Sequence, residues 1–116
     1  MKKTADLRQH FRFEILEYAV IRVEGDHVPA VVVDISLGGL QLRTRRSCQT
    51  GERCEIVIGQ GGAPTIHADI EVRYCEPVGN DLYAVGYRFL PASKEDCVTL
   101  VDYIHDVFRR QGERLI

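Results

Sequence analysis

The chain has 116 residues, 45% of them hydrophobic and 28% charged, with a formal net charge of −2. That length fits one compact domain with a single core, and the slightly acidic balance argues against a general nucleic-acid binder, which carries an overall basic footprint. No apolar run approaches the ~20 residues of a membrane span, and no apolar stretch follows Met1-Lys2-Lys3-Thr4-Ala5-Asp6 as a secretory leader requires, so a cytoplasmic location is expected.

Residues 1–13 have neither a helical nor a strand period and read as an arm, with residues 14–116 forming the folded unit. Lys2, Lys3, Arg8 and Arg12 crowd this arm against Asp6 alone. Phe13 and Ile15 are placed to pin its end to the core. Tyr18 to Val23 suits a strand, and Gly25-Asp26 marks a turn. The next strand, Val28 to Ile35, runs into Ser36. Strict alternation places Val31, Val33 and Ile35 on the core face and Val32, Asp34 and Ser36 on the outer face. Asp34 and Ser36 then point the same way, about 7 Å apart at ~3.4 Å per residue. Gly38-Gly39 permits a sharp turn. Leu40 and Leu42 resume the apolar face, with Gln41 and Arg43 outward.

Arg45 to Glu52 is a polar loop. Cys54, Ile56 and Ile58 read as the inward face of a strand, and Gly59-Gln60-Gly61-Gly62-Ala63-Pro64 breaks it. Ile66, Ala68, Ile70, Val72 and Tyr74 then alternate with His67, Asp69, Glu71 and Arg73, the pattern of an antiparallel strand with one wet face. Pro77 to Asp81 reads as a turn. In the last strand, Leu82 to Phe89, the residues Tyr83, Val85, Tyr87 and Phe89 oppose Ala84, Gly86 and Arg88. The period then becomes helical. Ser93 is a candidate N-cap, with Asp96 three residues on. Cys97, Leu100, Val101, Ile104, Val107 and Phe108 form one apolar stripe. Arg109 and Arg110 suit the negative end of the helix dipole, and Gly112 suits its stop. Six short strands and one helix describe an all-β barrel or sandwich with a C-terminal helix. The stripe fits a barrel mouth or another subunit equally well.

Cys48, Cys54, Cys75 and Cys97 form no CxxC pair and have no histidine spacing that would make a metal set, so reduced thiols and no metal are expected. His10, His27, His67 and His105 are scattered. Gly59 to Gly62 is glycine-rich, but no Lys-Ser or Lys-Thr follows to complete a phosphate loop. No nucleophile–base pair has motif support, and catalysis is not expected.

The spacing RxxxR at Arg8 and Arg12, followed downstream by DxSxxG at Asp34, Ser36 and Gly39, resembles the PilZ domain family. Val85-Gly86-Tyr87-Arg88-Phe89 before a terminal helix is also similar to it, and the resemblance covers almost the whole chain. It implies a six-stranded antiparallel β-barrel that binds cyclic di-GMP through Arg8, Arg12, Asp34, Ser36 and Gly39. It also implies a signal passed to a protein target, with no cofactor. The residue types fit such a ligand. A guanidinium forks onto a phosphate or onto the O6/N7 edge of guanine, and an ionised carboxylate accepts from guanine N1–H and N2–H₂. Leu7 stands where a third arginine would add charge for a second stacked ligand, so one ligand per chain is expected. A nucleotide-independent adaptor that docks through the helix stripe, Arg109, Arg110 and Arg114 is the alternative. Asp34 and Ser36 can also simply cap the turn.

Overall fold

A computed structural model of the chain describes residues 13–36, 38–59, 65–90, 98–99, 101–106 and 109–110. Six strands lie in it: β1 (Phe13–Val23), β2 (Asp26–Ile35), β3 (Gly39–Thr44), β4 (Arg53–Ile58), β5 (Ile66–Gly79) and β6 (Leu82–Phe89). Residues 98–99, 101–106 and 109–110 are helical and are termed α1. The strands close into an antiparallel barrel in the order β1-β2-β3-β6-β5-β4. Closure leaves no sheet edge unpaired, so β-branched sequences such as Pro29-Ala30-Val31-Val32-Val33 can stand in a small domain without inviting edge-to-edge pairing.

The barrel interior is one apolar cluster. Ala19, Ile21, Val32, Ile35, Leu40, Leu42, Ile56, Ile58, Ile70, Val85 and Tyr87 are among its fully buried members. Tyr103 and Ile104 of α1 belong to the same cluster. Through these two residues the helix packs on the barrel. Arg110 secures it with a 3.3 Å ion pair to Glu17 of β1, and is itself held by a 3.2 Å pair to Asp106 one turn back on α1. Tyr103, which the helical period leaves outside the stripe, is buried. The candidate cap Ser93 and the stripe residues Cys97, Leu100, Val107 and Phe108 lie outside the described residues.

Three sequence expectations shift, and two of them have one cause. A β-bulge between Val32 and Asp34 puts Val33 out of register with β3. The inward set is therefore Ala30, Val32 and Ile35, not Val31, Val33 and Ile35. A second shift between Val72 and Tyr74 does the same to β5, so Tyr74 turns outward and Cys75 packs on the core. A bulge adds one residue to one strand and reverses the faces beyond it. The third shift concerns lengths. β1 begins at Phe13 rather than Tyr18, and β5 runs on to Gly79, so the turn after it is the pair Asn80-Asp81, both at positive φ.

The loop between β3 and β4 crosses one end of the barrel. Gly51 N–H donates to Val72 O at 2.8 Å, and Val72 N–H donates to Glu52 O at 2.9 Å, which ties the loop to β5 beside its bulge. Cys48 projects from this otherwise polar loop into the barrel end, 3.6 Å from the Tyr87 hydroxyl. Burial pushes the Cys48 thiol up, and it pushes the Tyr87 phenol up as well. These are structural groups rather than reactive ones.

Candidate functional site

Asp34 stands at the end of β2, half-buried, and is register-paired with Glu14 of β1 and Gln41 of β3. Phe13, the residue to which Arg12 is joined, lies opposite Ile35. The arginine arm thus enters the fold beside Asp34 as a consequence of β1–β2 pairing. Arg8 and Arg12 themselves lie outside the described residues. From Phe13 back to Arg8 the chain can span at most about 18 Å at ~3.6 Å per residue.

Ser36 departs from the expected outward pairing with Asp34. Its side chain is buried, at 1% exposure. The hydroxyl accepts from Gly38 N–H at 3.3 Å and lies 3.3 Å from Gly39 O, to which it donates. Its own backbone N–H donates to Gly39 O at 2.8 Å, closing the β2–β3 hairpin. The seryl side chain thus holds a turn whose backbone groups need partners once buried. The capping role open to this residue type is the one it fills in the structure.

Gly39 is required by its neighbour strand. A Cβ at this position would sit 2.0 Å from the backbone oxygen of Tyr87, so only glycine lets β3 and β6 approach this closely. Gly38 O accepts from Phe89 N–H at 3.1 Å, which fixes the hairpin against β6.

Register carries the site across the outer wall in two rows. The first runs Asp34, Gln41, Gly86, Tyr74 over β2, β3, β6 and β5. Tyr74 lies over Gly86 so closely that a Cβ there would meet ring atoms at 2.1 Å. Its hydroxyl accepts from Gln41 Nε2 at 2.7 Å, while Gln41 Oε1 accepts from Arg43 Nη1 at 2.7 Å. Tyr74 remains 39% exposed, so one ring face meets solvent. The second row runs from the Ser36–Gly39 pair through Arg88 and Glu71 to Arg53. Arg88 Nε lies 2.6 Å from one Glu71 oxygen and Arg53 Nε lies 3.2 Å from the other. Hydrogen bonds from Arg88 first, then Arg53, hold the Glu71 carboxyl below its ordinary value.

The wall therefore combines a carboxylate, an amide, a ring face and guanidinium groups around glycines. Such a set suits a planar, polar, anionic small molecule. Motif spacing reveals Asp34 and Gly39. It does not reveal Tyr74 or Gln41, because their place beside Asp34 depends on the register of four strands and on the β5 bulge. Alternation alone assigns Tyr74 to the core. Among the described residues no group of three His, Cys, Asp or Glu side chains is arranged to hold a metal ion. No helix among them is long and apolar enough to cross a membrane.

Residues 6–106 match the PilZ domain family. No curated protein sequence is detectably similar to the chain. Among solved structures, the PilZ domain with c-di-GMP of YcgR from Escherichia coli is similar with a TM-score of 0.77 at 18% identity, covering 93% of this chain and 96% of that one. The Bacillus subtilis inhibitor of motility, MotI/DgrA, is similar with a TM-score of 0.69 at 20% identity, covering 91% and 52%. The Borreliella burgdorferi PlzA protein in complex with c-di-GMP is similar with a TM-score of 0.58 at 12% identity, covering 95% and 57%. The chain thus spans nearly all of the first and little more than half of the other two. At these identities the likeness is one of fold.

Proposed function

The chain belongs to the PilZ domain family, and from that membership we propose that it is a receptor for cyclic di-GMP that acts without catalysis or cofactor. The supporting observation is the register that joins the two halves of the motif. Glu14 pairs with Asp34 and Phe13 with Ile35, so an arm carrying Arg8 and Arg12 leaves the barrel beside the Asp34 carboxylate. In this reading Asp34 accepts the N1–H and N2–H₂ of a guanine. Arg8 and Arg12 take the phosphates or the guanine O6/N7 edge. Ser36 contributes by holding the hairpin, and Gly39 by keeping the floor low. The exposed face of Tyr74 offers the base a surface to pack on.

In this reading ligand binding changes the conformation of the arm, and the changed surface is what a protein target in the cytoplasm reads. A nucleotide-independent adaptor is the second reading, and one observation favours it. Leu16 is 74% exposed, and Tyr18 and Val31, paired across β1 and β2, are also exposed apolar residues on the outer wall. The apolar side of α1, by contrast, is turned to the barrel at Ile104, and Arg109 and Arg110 both pair with Asp106. Of the expected helical docking surface, these described residues are already engaged.

A specificity panel tests the receptor reading. Cyclic di-GMP is expected to bind at least about tenfold more tightly than cyclic di-AMP, because adenine lacks the donor edge that Asp34 would read. Asp34→Ala should erase most of that preference. Equal binding of the two dinucleotides, or a preference untouched by Asp34→Ala, would count against it.

A further inference from the structure

The motif supplies two arginines on an arm, but the second row of the outer wall holds a cation on a strand. Arg88 is paired with Gly39 across β3 and β6, so its Cα lies about one strand spacing, ~5 Å, from the motif glycine. Gly39 has no side chain to stand between the Ser36 hairpin and Arg88, while Gly86, diagonal to it, lies under the Tyr74 ring.

The charge of this row does not cancel. One carboxylate, Glu71, faces two guanidinium groups, Arg88 and Arg53, and each takes a different oxygen through Nε. The row carries one positive charge in excess. Engaging Arg88 through Nε fixes the plane of the guanidinium, while its two terminal amino groups take no described partner. The side chain is 47% exposed. A guanidinium pinned on one edge and open on the other can accept a tetrahedral anion without first losing rotamer freedom. Arg53 completes the device. It shares Glu71, so the carboxylate orients Arg88 without neutralising the row. The lowered proton affinity of Glu71 keeps that carboxylate ionised throughout the neutral range.

We propose that Arg88, oriented by Glu71, is a pre-positioned site for a phosphodiester oxygen of the ligand, additional to the arginines of the arm. The inference rests on the receptor reading above and names a further binding residue of the same site. Arg88 gives the wall a cation that the barrel itself holds in place.

The test is calorimetric titration of the full chain with cyclic di-GMP at low and at high salt. Wild type is compared with Arg88→Gln and with a control, Arg22→Gln, whose guanidinium pairs with Glu55 at the end of β1 remote from Phe13. Each variant breaks one surface ion pair and removes one charge, so each should shift the thermal midpoint by a similar small amount. Only Arg88 borders Gly39. Arg88→Gln is expected to weaken binding about tenfold, the worth of one charge-assisted hydrogen bond. It should also flatten the salt dependence, because one screened contact is gone. Arg22→Gln should stay within about twofold of wild type. Wild-type binding with Arg88→Gln unchanged, or with both variants losing equally, overturns the role of Arg88 and leaves the receptor reading standing. Absence of wild-type binding overturns the receptor reading and this inference with it.

Discussion

The Ser36 hydroxyl is buried and bonded within its own hairpin, while the Asp34 carboxylate is half-buried on the outer wall. Substitutions at the two positions should therefore fail differently. Ser36→Ala removes the two hydroxyl bonds of the hairpin, leaves its backbone bond, and is expected to cost about 1 kcal/mol of stability. Asp34→Ala should weaken cyclic di-GMP binding about tenfold or more, whereas Ser36→Ala should weaken it only as far as the hairpin loosens. Chemical denaturation run beside a binding titration separates the two effects, and equal binding losses at the two positions would contradict the division. The glycines make a similar pair. Gly39→Ala drives a Cβ against the fixed backbone oxygen of Tyr87, whereas Gly86→Ala meets the Tyr74 ring, which can swing outward. Gly39→Ala is expected to destabilise by about 1–3 kcal/mol. Gly86→Ala should cost less and break the Gln41–Tyr74 hydrogen bond. Thermal midpoints of the two variants check the order.

Among the elements, the strands were easier to read than their faces. Val, Ile and Tyr at period two, cut by Gly25, Gly38-Gly39 and Gly59, mark six strands with little ambiguity. The bulges at Val33 and Arg73 leave no mark in their own strand, because each exists only relative to the partner it skips. That is why strict alternation places Val31 and Val33 on the core face, where the structure holds Ala30 and Val32. It is also why alternation places Tyr74 with the core rather than on the wall. The site followed the same division. Asp34 and Gly39 stand in a linear motif and can be found by spacing. Gln41, Tyr74 and Arg88 join them only through register. Ser36 was legible as a motif member, but its burial depends on how the hairpin meets β6.

The ladder of Arg53, Glu71 and Arg88 across β4, β5 and β6 gives an element-scale prediction in pH. The Glu71 carboxyl titrates below its ordinary value in the folded chain. Its stabilising contribution is present above the unfolded carboxyl range, about 4.3, and is lost as pH falls through the lower folded value. A carboxyl NMR titration should place the Glu71 midpoint below about 4.3. Arg88→Gln should move it upward, since the bond from Arg88 is the largest cause of the shift. A midpoint at or above the ordinary value would mean that the ladder does not form in solution.

Taken as a whole, the molecule is a closed barrel whose interior is filled by apolar side chains, so ligand chemistry belongs on its outer wall. β1 begins where that wall carries Asp34, and α1 packs on the barrel through Tyr103 and Ile104. In the proposed reading the barrel presents one half of the site, and Arg8 and Arg12 supply the other. The central claim is that this pair binds cyclic di-GMP. Its most direct test is isothermal titration of the full chain with cyclic di-GMP, wild type against Arg12→Ala. The account predicts saturable binding with a ratio near one ligand per chain, and a loss of about tenfold or more in Arg12→Ala. No saturable heat with wild type at tens of micromolar ligand, an affinity scale of roughly 6–7 kcal/mol, would contradict it.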